Sequence, residues 1–121
     1  IFRDSGIVTD EEGALSVNTY LQSPQYPEVF GTGDCIHFIE KPLKKAGVYA
    51  VKQNRIILHN LQAFLSSSPL IPFKPQNNYM AILNTGFERG ILFRKPLLSR
   101  GRIPYVIKDL IDRRFIKQYQ G

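Results

Sequence analysis

The sequence predicts an α+β fold in two parts, residues 1–66 and residues 67–121. A long helical period runs from about residue 44 to residue 65. Two short apolar runs with a glycine between them follow it, which is typical of an antiparallel hairpin. The segment Ser66–Pro69 ends the helical period, and the pattern changes after it. We therefore place the division between the two parts there.

In the first part, Ala14–Val17 predicts a short strand, and Glu28–Thr32 predicts a second strand that ends at Gly33. The helix over 44–65 has one apolar stripe at close to the 3.6-residue period. That stripe comprises Gly47, Ala50, Val51, Ile57, Leu58, Leu61, Phe64 and Leu65. We expect this stripe to face the core.

In the second part, Tyr79–Leu83 and Gly90–Phe93 predict the two strands of the hairpin. Gly86 lies between them and can adopt the positive φ that a tight turn needs. Pro96 is expected to end the second strand, because proline cannot donate to a sheet ladder. Residues 101–119 then predict a final helix with an apolar stripe.

The final helix is basic as well as amphipathic. A helix of this kind can lie in an anionic membrane interface or pair with a second copy of the chain. The other interpretation is that its stripe packs on the hairpin, in which case Ile111 and Phe115 would be protected from solvent.

Charge is distributed unevenly along the chain, whose net charge is +6. Residues 1–40 carry one base and seven acids, a balance of −6, whereas residues 41–121 carry fifteen bases and three acids, a balance of +12. Such asymmetry indicates an anionic partner for residues 41–121, or a chain whose halves face different neighbours in a longer protein.

The cysteine count and the apolar runs limit the class of protein. A single cysteine, Cys35, excludes an internal disulfide and favours a reducing compartment. No apolar run approaches the roughly 20 residues of a membrane span. We therefore predict a cytoplasmic location. No grouping of His, Cys, Asp and Glu has the spacing of metal ligands, and no catalytic residue is assigned.

The residues best suited to bind a ligand lie in Phe30–Asp34. This segment is predicted to contain the end of a strand, a glycine turn and a carboxylate, and a helix is predicted to follow it. Gly31 and Gly33 would allow a close backbone approach, and Asp34 can accept hydrogen bonds from sugar or ribityl hydroxyls. The amides at the start of the following helix favour negative charge. A tight turn capped by Asp34 is the simpler interpretation of the same residues.

The surrounding sequence resembles the end of the pyridine nucleotide-disulfide oxidoreductases, which include type II NADH dehydrogenases and sulfide:quinone oxidoreductases. Residues 21–23 and 27–35 resemble their second FAD motif, and residues 45–53 are similar to the helix that approaches the flavin ring. Residues 101–115 look most like the branch of this family that is fused to selenide, water dikinase.

This resemblance implies that residues 1–66 are a remnant of a Rossmann-like FAD domain with a strand–turn–helix site. Residues 67–121 would be a hairpin-plus-helix domain for dimerisation or membrane docking. Gly33 and Asp34 would bind the ribityl chain of FAD. The backbone of Lys45, Ala46 and Gly47 would face the pyrimidine ring of the flavin, where the helix start favours negative charge.

The resemblance also implies cofactors and partners. The parent protein would bind FAD, oxidise NADH or NADPH, and pass electrons to an unidentified acceptor such as quinone. The sequence contains no G-x-G-x-x-G turn, so its partners would include the missing N-terminal FAD and NAD domains, and the chain alone would be inactive. The amphipathic final helix also predicts a homodimer or peripheral contact with the inner face of the membrane, and related quinone reductases use their C-terminal regions for such membrane contact.

The alternative is a basic binding module for nucleic acid or an anionic membrane surface. Aromatic and basic residues alternate loosely around the hairpin, as in single-strand binders. These residues are Tyr79, Phe87, Arg89, Phe93, Arg94 and Lys95. No nucleic-acid motif accompanies them, so no nucleic-acid partner is expected.

Overall fold

The computed structural model describes residues 2–76, 78–118 and 120, and these form two helices and two small sheets. The α+β class predicted from the sequence is confirmed. The chain divides into a first unit, Ile1–Pro75, and a second unit, Gln76–Gly121. The division therefore lies after Pro75, beyond the Ser66–Pro69 segment, because Phe73 is buried and donates its backbone N–H to Thr19 of the first unit at 2.8 Å.

The first unit is built around two short parallel strands, β1 (Leu15–Val17) and β2 (Ile36–Phe38). They pair in register, with Leu15 opposite Ile36 and Val17 opposite Phe38. Leu15, Val17, Phe38 and Leu21 are buried and form the centre of its core. The predicted strand at 14–17 is thus confirmed.

The predicted strand at 28–32 is wrong. Within that segment Phe30 forms an isolated bridge with Gln22, and no strand is present. A 3₁₀ turn follows at Gly33–Cys35 and leads directly into β2, so a strand and a loop separate Asp34 from the helix. The predicted order of strand, turn and helix does not occur here, because the chain after the turn pairs with β1.

Helix α1 spans Gly47–Leu65. Its C-terminus is closed by backbone hydrogen bonds from Ser66 to the carbonyl of Gln62 and from Ser68 to that of Ala63. Its buried residues are Tyr49, Gln53, Asn60 and Ala63.

The predicted inward stripe of α1 is wrong. At 100° per residue, the buried Tyr49, Gln53 and Asn60 share one side, whereas Val51, Leu58 and Leu65 lie on another. The latter three are exposed, Leu65 to 85%. The side of α1 that faces the rest of the first unit carries Gln53 and Asn60, whose side chains hydrogen-bond to loops. The apolar period of the helix does not reveal these contacts, so it did not predict the buried side.

The second unit contains the antiparallel sheet β3 (Ala81–Gly86), β4 (Arg89–Arg94) and β5 (Leu97–Gly101), in that order. The predicted hairpin is confirmed as the β3–β4 pair. Strand β5 was not expected: the chain turns back after Pro96 and forms a second ladder, with Arg94 opposite Leu97.

Helix α2 spans Arg102–Lys117 and packs on the sheet. A Cβ at Gly90 would lie 2.9 Å from the Leu83 carbonyl and 3.2 Å from the Tyr105 amide, so glycine permits this close approach. The predicted helix of 101–119 is confirmed except at its ends, and Tyr119 lies outside the described residues. Across the described part of the chain, neither helix combines the length and apolarity needed to cross a membrane.

Candidate functional site

A small cleft in the first unit lies where the Gly33–Cys35 turn meets the chain that leads into α1. We call it the Asp34 cleft. It is lined by Gly33, Asp34, Ile36, Phe38, Leu43, Lys44, Lys45, Tyr49 and Gln53. Its volume is about 10 Å³, which is room for about one water molecule. The cleft therefore does not enclose a ligand larger than a water molecule.

Gln53 joins α1 to the turn. Its Oε1 accepts hydrogen bonds from the Thr32 hydroxyl and the Gly33 backbone N–H, each at 2.8 Å. Gln53 is only 1% exposed, and both bonds are part-buried. This contact holds the turn, and with it Asp34, against the start of the helix.

Glycine suits positions 31 and 33 for two different structural reasons. Gly33 has φ +76°, in the left-handed region that favours glycine, and a Cβ there would meet only Ala50 at an ordinary 3.8 Å. A Cβ at Gly31 would lie 2.7 Å from Leu15 and 2.8 Å from Ile36. Gly31 therefore allows core packing rather than the ligand approach predicted for it.

The charges around the cleft are mixed. Asp34 is exposed and makes no hydrogen bond or ion pair with another described residue. Lys45 pairs with Glu12 at 3.2 Å, where both side chains are largely exposed. Such a pair contributes little to stability, so the Lys45 ammonium remains available to a ligand.

The start of α1 adds a partial positive charge beside these groups. Ala46 is its N-cap residue and Gly47 its first residue, and no side chain caps the helix. The first amides of a helix lack intrahelical partners and favour negative charge. The cleft thus places one carboxylate acceptor opposite an uncapped helix start.

Three of the five predicted site residues, Gly33, Asp34 and Lys45, line the same cleft. Ala46 and Gly47 adjoin it as the beginning of α1 but do not line it. Sequence reasoning did not assign Tyr49 or Gln53 to the site. Their i, i+4 spacing puts them on one side of the helix, which is the signal that could have found them.

The remaining reactive side chains have local contacts. Cys35 is an exposed free thiol whose Sγ lies 3.2 Å from the Thr32 carbonyl. His37 Nδ1 lies 3.5 Å from Asp10 Oδ2, and Asp10 also accepts the Ala14 amide. Among the described residues there is no group of three His, Cys, Asp or Glu side chains that could hold a metal ion.

No protein-family model matches the chain, and no curated protein matches it significantly.

Proposed function

We propose that the chain is the C-terminal part of an FAD-dependent NAD(P)H oxidoreductase in which Asp34 binds the ribityl chain of FAD. The observation that carries the proposal is the meeting of Gly33, Asp34 and Lys45 in one cleft beside the uncapped start of α1. Lys45 lies 11 positions beyond Asp34 in the sequence, and the resemblance assigns Gly33, Asp34 and Lys45 to one ligand.

The residues present suit the edge of a flavin. The Asp34 carboxylate is an exposed acceptor that can take hydrogen bonds from hydroxyl groups. The first amides of α1 can stabilise negative charge on the pyrimidine side of the ring, with Lys45 close by. The shallow cleft implies that the missing domains would supply the phosphate-binding turn and most of the contact area.

When bound, FAD would accept a hydride from NADH or NADPH and pass electrons on to an acceptor such as quinone. The chain's own contribution is to hold and orient the cofactor. Gln53 fixes the turn, Asp34 holds hydroxyls, and the start of α1 favours negative charge beside the ring.

The exposed side of α1 carries apolar side chains that a partner domain would cover. Val51, Leu58 and Leu65 form an exposed apolar row along the helix. Apolar rows of this kind commonly mark a surface that another domain or chain covers. The missing N-terminal FAD and NAD domains are the partner that the proposal supplies.

In the longer protein, Asp34→Ala is expected to lower FAD affinity about tenfold to a hundredfold. Hydrogen bonds to a charged group contribute about 1.5–3 kcal/mol, and this carboxylate has no other described partner. The dissociation constant is measured by flavin fluorescence. Asp4→Ala is the matched control, since Asp4 is also exposed but lies outside the cleft. Equal affinities of the Asp34→Ala and unaltered proteins would contradict the proposal, as would stoichiometric FAD on the isolated 121-residue chain.

Docking to an anionic surface or to a second copy is a second candidate function, and the charge of the second unit favours it. That unit carries nine bases and three acids, a balance of +6, whereas the first unit carries seven of each. On α2, Ile111 is 45% and Phe115 39% exposed. This exposure favours the docking interpretation over complete packing of the stripe on the sheet.

The chain is expected to sediment with vesicles rich in phosphatidylglycerol at low salt and to be released as salt rises. Each base near such a surface contributes about 1 kcal/mol, and salt screens that attraction. Ile111→Ser should reduce sedimentation, while Leu58→Ser, an exposed position on α1, should not. If the chain is monomeric and stays in the supernatant at low salt, α2 is structural only.

A further inference from the structure

A second and much larger cleft lies within the second unit, at the end of the sheet where the β3–β4 turn and the start of α2 meet. We call it the arginine cleft. It is lined by Thr85, Gly86, Phe87, Arg89, Gly90, Ile91, Arg100, Gly101 and Arg102. Its volume is about 1020 Å³, at the upper end of the range for small-molecule sites. None of its residues belongs to the Asp34 cleft.

Two arginines in this cleft are brought together by the strand register. Arg100 lies directly opposite Ile91, and Arg89 precedes Ile91 by two residues on the same strand. Arg89 and Arg100 therefore occupy diagonal positions on one face of the sheet, about 7–8 Å apart at the backbone. Long guanidinium side chains at that separation can converge on one anion.

Only one of the three arginines in the cleft forms an ion pair with a described acidic residue. Arg102 pairs with Glu88 at 2.8 Å, whereas Arg89 and Arg100 form no ion pair with a described residue. Like charges at neighbouring positions of a sheet repel each other. An anionic ligand would relieve this repulsion, and a planar guanidinium fork matches the geometry of phosphate.

An aromatic ring stands at the rim. Phe87 is 97% exposed, and its φ is +49°, in a left-handed conformation that is unusual for a bulky residue. The following residue, Glu88, shares this conformation with φ +53°. The turn therefore holds a large apolar ring in solvent beside the arginines, where a planar group could stack on it.

We propose that the arginine cleft binds a nucleoside phosphate. Arg89 and Arg100 hold the phosphate groups, and the ring of Phe87 stacks on the base. The proposal does not depend on the flavin assignment, because the two clefts lie in different units and share no residue.

Calorimetric titration of the full 121-residue chain with ADP tests the proposal. ADP is expected to bind more tightly than pyrophosphate, and adenosine is expected not to bind, since the phosphates provide the charge and the base provides the stacking. No ADP binding at millimolar concentration would overturn the proposal. Preference for phosphatidic acid vesicles over ADP, lost on substitution of the same arginines, would also overturn it in favour of a lipid headgroup.

Charge-matched variants locate the site. The Arg89→Gln/Arg100→Gln double variant is expected to weaken ADP binding about tenfold or more. The control Arg94→Gln/Arg114→Gln removes the same charge from exposed residues outside the cleft and should change affinity less than about threefold. Equal losses in both variants would show that only net charge matters and would overturn the site. If the double variant does not fold, Arg100→Lys, which keeps charge but loses the fork, must still weaken binding.

Phe87→Gly tests the stacking. Glycine suits the left-handed backbone at this position, so the substitution removes the ring without straining the turn. The affinity for ADP should fall about fivefold or more, to that for pyrophosphate, while the affinity for pyrophosphate stays the same. An unchanged preference for ADP would contradict the role of the ring.

Discussion

Asn60→Ala is expected to lower the free energy of unfolding of the first unit by about 3 kcal/mol. Asn60 is fully buried in α1, and its amide joins the helix to two separate loops. Its Nδ2 donates to the carbonyls of Tyr20 and Ile71, at 2.8 and 2.9 Å, and its Oδ1 accepts the Ile71 N–H at 2.9 Å. Each such bond contributes about 1 kcal/mol, and alanine would leave these backbone groups without their partner.

Urea unfolding followed by circular dichroism measures this effect, and hydrogen exchange of α1 assigns it to the first unit. The matched control is His59→Ala, because His59 is the preceding residue of the same helix and is exposed. The control should change stability by less than about 0.5 kcal/mol. Equal stabilities of the Asn60→Ala and His59→Ala proteins would show that the buried amide does not hold the loops.

Gln53→Met is expected to cost about 2 kcal/mol and to loosen the turn that carries Asp34. Methionine is close to glutamine in length and shape, so the loss would come from the hydrogen bonds rather than from a cavity. The Thr32 hydroxyl and the Gly33 N–H would lose their common acceptor. A donor left unpaired in a part-buried site costs about 1–3 kcal/mol.

The local measurement is amide exchange at Gly33. Its N–H donates to Gln53 in the structure, so exchange should become faster in the variant while amides in β1 stay protected. Asn54→Met, at the next and exposed position of α1, is the control. If Gly33 exchanges at the same rate in all three proteins, Gln53 does not hold the turn.

Local sequence signals were sufficient for several elements. The 3.6-residue period located α1 and α2, and the apolar runs around Gly86 located the β3–β4 hairpin. These signals succeed because backbone hydrogen bonds in helices and hairpins join residues that are near in sequence. The uneven distribution of charge along the chain was also evident from the sequence, because counting charged residues requires no knowledge of the fold. The flavin assignment stays a prediction.

The tertiary structure alone decided the buried side of α1 and the composition of the Asp34 cleft. The apolar stripe of α1 pointed to one side, but Gln53 and Asn60 anchor another side to loops 20 and 40 residues away. Strand β2 likewise exists because it pairs with β1, whose sequence lies well before it. Periodicity shows that a helix has two faces, but in α1 the covered face carries Gln53 and Asn60, whose hydrogen-bond partners lie far away in the sequence. A buried polar group needs such a partner wherever the chain supplies one, and a local pattern cannot locate it.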